Sequence, residues 1–349
     1  MSRLKLFVVV MTTGVMFFIY CILQLLTFPV SNRHFQPDPS LDTRRQLVHK
    51  SVSHTDNIHK QKAVADQCLL TDHPVSEEIG ATSLEKRLPK CLIIGFAKCG
   101  TYALRSFLAL HPDIVCSNQE LSFFTEHYTR GLSWYRSQMP VSLESQVTIE
   151  KTPSYILSSE TLSRIRKFNA SIKLIVIVRD PLVRLQSSYA HSKVTVQEFN
   201  QTFRSWVRRD GLIDSIADYA SRIKNVFRLF DANQVLVIEE EELEKSPLAL
   251  LSKVETFLGL CHAFTEDLIV FNRDKGFYCF NQSSWRYREL ERTLKLDLRT
   301  GCFSRSKGRE HPQIDRQLMQ QLVLKVKPYN EKLFALLGKR YKWTSPESL

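Results

Sequence analysis

A long apolar run near the N-terminus is the strongest hydropathy feature of the chain. Residues 6–26 are almost entirely apolar, and about 20 helical residues span the hydrocarbon core of a bilayer. The run is longer than the apolar part of a cleaved signal peptide, and no small-residue cleavage pattern follows it. Arg3 and Lys5 precede it, which favours a cytoplasmic N-terminus. The pattern predicts a cytoplasmic tail at 1–5, one transmembrane helix at 6–26 and a luminal stem at 27–88. Residues 27–88 are mostly polar, and their few apolar residues do not recur with the period of a helix or a strand.

Short apolar runs alternate with helical patterns from residue 89 onward. The apolar runs, typical of buried parallel strands, are 91–95, 174–178 and 235–238. The helical patterns cover 101–110, the residues from about 182, 247–258 and 315–337. This alternation predicts one α/β domain over 89–349 with a central parallel sheet. We expect the acidic run 239–242, directly after the third strand, to be solvated.

The net charge indicates what kind of partner the chain binds, and the cysteines bear on metal sites and on the cellular compartment. The formal charge of +12 favours an anionic partner such as nucleic acid, a membrane surface or an acidic glycan, although a generally basic surface gives the same charge. Eight cysteines occur without a C-x-x-C pair, so the spacing does not favour a zinc or thioredoxin site. For a luminal domain we expect disulfides, and glycosylation at the sequons of Asn169, Asn200 and Asn281.

The loop after the first strand has the composition of a phosphate-binding loop. It reads GFAKCGT (95–101), and such a loop can present backbone N–H groups and a helix N-terminus to an anion. Lys98 adds a positive charge, and Thr101 can cap the helix or donate to a phosphate oxygen. An ordinary strand-to-helix turn is the alternative interpretation.

The spacing of this loop differs from that of a Walker loop, because Lys98 precedes Gly100 rather than following it. A kinase or ATPase also needs carboxylates to hold Mg²⁺, and Asp180 is a weak candidate for that role. We therefore expect no metal site. A magnesium-dependent kinase is the more distant alternative.

Recognisable motifs follow one another over about 88–343. They are GFAKCGTYAL (95–104), HPDIVCSNQELSFF (111–124), GLSWYRSQMP (131–140), EKTPSY (150–155), VRDPLVRLQSSY (178–189), KGFYC (275–279) and SKGREHP (306–312). In this order they resemble the heparan sulfate glucosamine 3-O-sulfotransferase family. The resemblance implies a P-loop-like, three-layer α/β fold of the sulfotransferase type. It also implies transfer of a sulfuryl group from PAPS to the 3-OH of glucosamine in heparan sulfate, with PAP as product.

The resemblance implies a donor site for PAPS that requires no metal. Residues 98–102 correspond to the loop that receives the 5′-phosphosulfate, Arg179 and Ser187 to the groups that hold the 3′-phosphate, and 307–311 to a segment that closes over the nucleotide. A guanidinium suits a bidentate grip on phosphate, although a local Arg179–Asp180 salt bridge and a solvated basic turn are the ordinary alternatives. The implied cofactor-binding residues are Lys98, Cys99, Gly100, Thr101, Tyr102, Arg179, Ser187, Lys307, Gly308, Arg309, Glu310 and His311.

The resemblance also implies the catalytic and acceptor-binding residues. Glu120, where we expect partial burial beside two phenylalanines, corresponds to the base that takes the acceptor proton. Lys98 and Lys151 correspond to cations that stabilise developing charge. The ordinary alternatives are an exposed loop carboxylate and a surface Glu150–Lys151 pair. The residues implied to contact the acceptor are Glu120, Ser122, Lys151, Thr152, Pro153 and Ser154.

Two segments depart from the usual pattern of the family on the acceptor side. Family members usually read E-x-H-F-F-D and R-K-G-G-T-R, where this chain has ELSFFT (120–125) and AKCGTY (97–102). Ser122 therefore replaces a histidine, Thr125 replaces an aspartate, and Ala97 and Tyr102 replace basic residues. Lys98, Gly100 and Thr101 of the loop implied to bind the donor keep the family pattern, as do Arg179 and Ser187.

The C-terminal part contains a long basic loop. The resemblance implies a disulfide between Cys279 and Cys302, and the loop between them is longer than is usual in the family. Leu290, Leu294 and Leu298 recur every four residues, which predicts a short helix. One hypothesis is that the basic residues of this loop contact the glycan, and a solvated charged helix is the alternative.

The sequence and the resemblance together predict a single-pass type II protein of the Golgi membrane with a luminal catalytic domain. Its expected partners are PAPS, heparan sulfate and the membrane that holds the anchor, and nucleic acid is not among them. Two alternatives remain: a sulfotransferase that acts on another position or glycan, and a heparan-binding Golgi protein without turnover.

Overall fold

The computed structural model describes residues 83–291, 293–294, 296–303 and 311–345. These residues belong to one structural unit, Lys60–Leu349. The predicted cytoplasmic tail, the predicted transmembrane helix and nearly all of the predicted stem lie outside the described residues. Among the described helices, none combines the length and the apolar composition that crossing a membrane requires.

A five-stranded parallel sheet forms the centre of the fold. The strands of the described chain are β1 Glu85–Lys86, β2 Cys91–Gly95, β3 Ile114–Cys116, β4 Val141–Ser142, β5 Val147–Lys151, β6 Lys173–Val178, β7 Val235–Glu239, β8 Ile269–Asn272, β9 Phe277–Phe280, β10 Leu296–Asp297 and β11 Cys302–Phe303. The order in the sheet is β3-β5-β2-β6-β7. Every residue of β2 and of β5 is buried, as expected for a parallel sheet that is covered on both faces. The predicted central parallel sheet is confirmed.

Helices alternate with the strands of the sheet. The helices are α1 Thr101–Leu108, α2 Gly131–Ser137, α3 Ser159–Phe168, α4 Pro181–Thr195, α5 Phe203–Val207, α6 Leu212–Ala217, α7 Tyr219–Leu229, α8 Glu240–Lys245, α9 Pro247–Leu258, α10 Trp285–Leu290 and α11 Arg316–Leu337. Proline opens α4 and α9 at a position where a helix needs no N–H donor. Asp315 caps α11, because its side chain accepts from the N–H of Leu318. The predicted helices at 247–258 and 315–337 are confirmed, whereas α1 ends two residues before the predicted bound of 110.

The topology of the sheet gathers polar residues at one edge. The chain enters at the middle strand β2, places β3 and β5 on one side, and then crosses to place β6 and β7 on the other. Because the strands are parallel, their carboxyl ends lie at the same edge, and open sheets of this kind bind ligands there. Lys98, Glu120, Thr152, Arg179 and Glu240 all follow strand ends at this edge.

A second apolar cluster fixes α4, the helix that follows β6. Leu182 and Leu185 of α4 pack with Trp206 of α5 and with Leu322 and Val323 of α11. Burying a side chain of this size stabilises a fold by roughly 1.5–3 kcal/mol. The cluster therefore holds α4, and the polar residues on it, in a fixed position relative to the strand end.

The structure links Cys279 and Cys302 by a disulfide, the pair that the resemblance implied. Between them α10 ends at Leu290, Leu294 is buried and Leu298 is exposed. The predicted helix through all three leucines is wrong, because the chain turns back at β10 to pair with β11. Elsewhere, Cys261 is also disulfide-bonded.

Candidate functional site

The loop after β2 adopts a positive φ at two residues. Lys98 has φ 68° and Gly100 has φ 80°, and loops of mixed handedness direct successive N–H groups toward one point, as in an anion-binding nest. Gly100 is the N-cap of α1 and makes no side-chain cap, so Thr101 is the first helical residue and not the cap. The first N–H groups of a helix have no intrahelical acceptor and carry the positive end of its dipole.

A buried arginine braces this loop. Nε of Arg184 donates to the carbonyl oxygen of Ala97 at 2.9 Å, and Nη1 donates to that of Ile216 at 2.5 Å. The guanidinium also lies over the rings of Phe96 and Tyr219. These contacts hold the loop in its conformation without a ligand. Sequence reasoning missed Arg184, although its place in the segment 178–189 was an available signal.

A cavity of about 560 Å³ opens beside the loop at the carboxyl edge of the sheet, a volume typical of small-molecule sites. The residues singled out from the sequence that line it are Lys98, Gly100, Thr101, Tyr102, Glu120, Pro153, Arg179, Ser187 and His311. Residues implied to bind the acceptor that do not line it are Ser122, Lys151, Thr152 and Ser154. Lys307, Gly308, Arg309 and Glu310 lie outside the described residues.

Cys99 was implied to bind the donor, but the structure does not place it there. Its side chain is fully buried, with Sγ 3.5 Å from the hydroxyl of Tyr219. Its N–H donates to the carbonyl oxygen of Phe96 at 3.2 Å. Cys99 therefore shapes the loop from behind, because both its side chain and its N–H are turned away from the cavity.

Arg179 directly follows β6 and lines the cavity. Its Nε lies 2.9 Å from Oε2 of Glu240, an ion pair whose N–H is not well directed for a hydrogen bond. The expected alternative, a local salt bridge between Arg179 and Asp180, does not form. The Asp180 carboxylate instead accepts from the N–H of Leu182 and from the N–H and hydroxyl of Thr344.

The acidic run after β7 is not the solvated strand end expected from the sequence. Glu239 is buried and accepts from Nε1 of Trp343 at 2.6 Å. Glu240 opens α8, lines the cavity and leaves only 15% of its side chain exposed. Burial raises the pKa of Glu240 to about 7, although the neighbouring Arg179 opposes the rise. The error arose because a run of carboxylates on a short segment gave no sign of the cation packed against it.

Ser187 and His311 also line the cavity that contains Lys98 and Arg179. Ser187 lies on α4, within two turns of the strand end that carries Arg179. Burial lowers the pKa of His311, and the nearby charges of Arg179 and Lys98 lower it further. The groups that the resemblance assigned to the donor therefore line the same cavity, apart from Cys99 and the residues outside the described chain.

Glu120, which lines the cavity, forms an ion pair with Lys151. Nζ of Lys151 donates to Oε1 of Glu120. The Lys151 side chain is 5% exposed and the Glu120 side chain 52% exposed, so neither the expected burial of Glu120 nor a surface position for Lys151 is found. Burial lowers the pKa of Lys151, while the charge of Glu120 opposes that shift. Lys151 contacts Glu120 from within the protein and leaves the carboxylate facing the cavity.

Glu150 holds the segment that carries Glu120 against β5. Its Oε1 accepts from the hydroxyl of Thr152 at 2.6 Å and from the N–H of Leu121 at 3.3 Å, and its Oε2 accepts from the hydroxyl of Tyr135 at 3.2 Å. Burial raises the pKa of Glu150, and these hydrogen bonds oppose the rise. The Glu150–Lys151 dipeptide is thus two buried groups with different partners, not a surface pair.

Ser122 and Thr125, the two residues of the segment 120–125 that depart from the family pattern, make hydrogen bonds that support its backbone. The N–H of Ser122, a residue with φ 47°, donates to the hydroxyl of Thr152 at 3.2 Å. The hydroxyl of Thr125 donates to the carbonyl oxygen of Ser122 at 3.0 Å. Ser122 and Thr152 were implied to contact the acceptor, and the structure gives them a role in positioning the Glu120 loop.

Part of the cavity lining comes from residues that the sequence did not single out as site residues. They are Lys275, Phe277, Tyr278 and Phe303. The rings of Phe303 and Tyr102 lie 5.6 Å apart, and the Cys279–Cys302 disulfide joins the strands that carry Tyr278 and Phe303. Across the part of the chain that the structure describes, no group of three or more His, Cys, Asp or Glu side chains is placed to hold a metal ion.

Three comparisons relate this geometry to known proteins. The sequence matches the family model described as Sulfotransferase domain over residues 88–324. It is 36% identical over 268 residues to heparan sulfate glucosamine 3-O-sulfotransferase 3B1 of Homo sapiens, covering 74% of this chain but only 65% of that relative. It is 36% identical over 266 residues to heparan sulfate glucosamine 3-O-sulfotransferase 6 of Mus musculus, covering 74% of each chain. A solved sulfotransferase from Alicyclobacillus acidocaldarius shares the fold with a TM-score of 0.55 at 20% identity, covering 73% of this chain and 98% of that one.

Proposed function

The chain belongs to the sulfotransferase domain family and, within it, to the heparan sulfate glucosamine 3-O-sulfotransferases, and we propose that it transfers a sulfuryl group from PAPS to the 3-OH of glucosamine in heparan sulfate. One observation carries the proposal: a phosphate-type loop, a second cation at Arg179 and a carboxylate at Glu120 all line one cavity. PAPS, when bound, supplies the sulfuryl group and a phosphate as the leaving group.

The donor set of the cavity suits a nucleotide with two phosphate positions. Lys98 and the N–H groups at the start of α1 form one anion site, and Arg179 with Ser187 forms another. Lys98 stabilises the charge that develops on the departing phosphate, because a fixed cation at that point needs no reorganisation during the reaction. The Arg179 guanidinium and the Ser187 hydroxyl hold the second phosphate by charge-assisted and neutral hydrogen bonds.

Glu120 acts as the general base for the acceptor hydroxyl. Its carboxylate lines the same cavity as Lys98 and accepts a hydrogen bond from Lys151. Lys151 orients the carboxylate through this hydrogen bond. The base removes the hydroxyl proton as the oxygen attacks sulfur, a role that is typically worth about 10²–10⁴ in rate.

We extend the proposal to acceptor binding by the loop between Cys279 and Cys302. Arg288 and Arg299 of this loop are exposed, whereas Arg286 pairs with Glu289 and packs against the backbone. Reversing the charge at Arg288 and Arg299 should shorten retention on a heparin column, because sulfated glycans are bound mainly through arginine and lysine. Unchanged retention of the double variant would overturn this extension alone.

We also propose a location in the Golgi membrane, with residues 6–26 as a signal anchor and the catalytic domain in the lumen. Asn200 is exposed, and Asn169 and Asn281 are partly exposed, which suits glycan acceptors in a luminal domain. Treatment of cell-expressed full-length protein with an N-glycosidase should lower its apparent mass. A chain that is unmodified and cytosolic would contradict this location.

Acceptor mapping tests the reaction itself. Full-length protein is incubated with ³⁵S-labelled PAPS and defined heparan sulfate oligosaccharides, and the labelled disaccharides are identified after digestion. Label on the 3-OH of glucosamine supports the proposal, and label elsewhere points to another sulfotransferase activity. Binding of the oligosaccharide without transfer points to a non-catalytic heparan-binding protein, and magnesium-dependent ATP turnover would point to a kinase.

A further inference from the structure

Glu240 places a carboxylate inside the site proposed for the donor anion. Its Oε2 lies 2.9 Å from Nε of Arg179, the cation proposed to hold a phosphate. Its side chain also packs on the loop that precedes α1, since a Cβ added at Gly100 would lie 2.9 Å from Cγ of Glu240. Glu240 thus contacts both Arg179 and the loop before α1, the two parts of the proposed anion site. The site is proposed to hold two phosphates, and neither phosphate explains why a carboxylate lies there as well.

The charges around Glu240 leave its carboxylate poorly compensated. Arg179 is the cation that favours its charged form, while Glu239, Glu241 and Glu244 all disfavour it. Glu244 lines the same cavity. Lys98 and His311 also line this cavity, and the charges of Lys98 and Arg179 both act on His311. Behind the loop, the charge of Glu240 in turn disfavours ionisation of the buried Cys99 thiol.

We propose that Glu240 is a further residue of the donor site that competes with a donor phosphate for Arg179, so that donor binding takes up a proton. This inference rests on the proposed function. One guanidinium cannot compensate two adjacent buried anions, and burial next to a like charge favours protonation of a carboxylate. The proton comes from solvent to a carboxylate oxygen of Glu240. The resulting carboxyl group is neutral and can donate a hydrogen bond to a phosphate oxygen.

The size of the effect follows from the pKa of about 7 for Glu240. Between pH 6 and pH 8 the protonated fraction of such a group falls from roughly 0.9 to roughly 0.1, so donor affinity should fall by about tenfold from this group alone. The phosphates of the nucleotide also titrate near this interval. The informative quantity is therefore the difference between the wild type and a Glu240→Gln variant at each pH.

Calorimetric titration of PAP into the full-length protein at pH 6, 7 and 8 tests the inference. Glu240→Gln should bind PAP about tenfold more tightly than the wild type at pH 8, and within about twofold of it at pH 6. Glu160→Gln is the matched control, because this exposed carboxylate lies on α3 and pairs with Arg164, and it should follow the wild type. Wild-type titrations in buffers of different ionisation enthalpy at pH 7.5 should show proton uptake, which is reduced in Glu240→Gln.

Three results overturn the inference. They are an affinity ratio between the two proteins that stays constant with pH, weaker binding by Glu240→Gln at pH 8, and equal proton uptake by the wild type and Glu240→Gln. In each of these cases PAP still binds, so the donor site of the proposed function survives. Absence of PAP binding in every variant at every pH would overturn the donor site and this inference together.

Discussion

Replacing Glu120 by glutamine should remove most of the transfer activity while leaving the fold and the donor site intact. The glutamine has nearly the same shape as the glutamate, and its carbonyl oxygen can still accept from Lys151. It cannot accept the acceptor proton. The change therefore separates the chemical role of the carboxylate from its role as a hydrogen-bond partner.

The expected loss of rate is about 10²–10⁴-fold, the usual contribution of a general base, or roughly 3–5 kcal/mol of transition-state stabilisation. The stability of the protein should change by less than about 1 kcal/mol, because the Glu120 side chain is 52% exposed and ion pairs at exposed carboxylates contribute little. The buried Lys151 should lose its proton more readily in the variant, since Glu120 raises the pKa of Lys151 against the effect of burial.

The assay compares kcat at saturating PAPS and heparan sulfate with PAP affinity measured on the same preparations. Glu126→Gln is the matched control, an exposed carboxylate on the same segment, and it should keep wild-type activity. A Glu120→Gln variant that binds PAP normally and retains more than about a tenth of kcat would refute the assignment of Glu120 as the base.

Three further predictions concern the donor site and its frame. Arg179→Ala is made together with Glu240→Gln, so that no carboxylate loses its cation. In calorimetry the double variant should bind PAP about 10–100-fold more weakly than Glu240→Gln alone, and a difference below threefold would contradict the donor role. The pKa of Glu255 lies below its ordinary value, because hydrogen bonds from histidines and backbone N–H groups outweigh the opposing effect of burial. Glu255→Gln should therefore be less stable to urea by about 1–3 kcal/mol at pH 7, with a deficit that shrinks as the pH falls below the unfolded value of 4.5; a deficit independent of pH is the opposing result. Replacing both Cys279 and Cys302 by serine opens a loop with a sequence separation of 23 and should cost about 3 kcal/mol in unfolding free energy, whereas an unchanged melting temperature would argue against a stabilising link.

The main sheet could be predicted because its signals are local. Strands such as β2 and β6 are uninterrupted apolar runs, and the proline and glycine that bound α9 stand next to it in the chain. The resemblance then assigned Arg179 and Glu120 to a site that topology brings to one edge of the sheet. Periodicity failed between Leu290 and Leu298, because a disulfide and the pairing of β10 with β11 override the local helical pattern.

The polar partners in the site could not be predicted, since each depends on contacts between distant segments. Glu240 resembles any residue of an acidic run until β7 is placed beside β6 and Arg179. Glu150 and Lys151 resemble a surface pair until β5 is buried in the sheet, which gives the two side chains different partners. The place of Arg184 in the segment 178–189 marked it as a candidate, but not as the support of the loop around Ala97. Sequence patterns identify the elements, but the pairing of buried charges is decided by packing.

A calorimetric titration of PAP into the full-length protein at pH 6 tests the central claim most directly. The account predicts saturable one-to-one binding that becomes weaker when Lys98 or Arg179 is replaced by alanine. A protein that is folded, binds heparan sulfate and yet shows no affinity for PAP would contradict it.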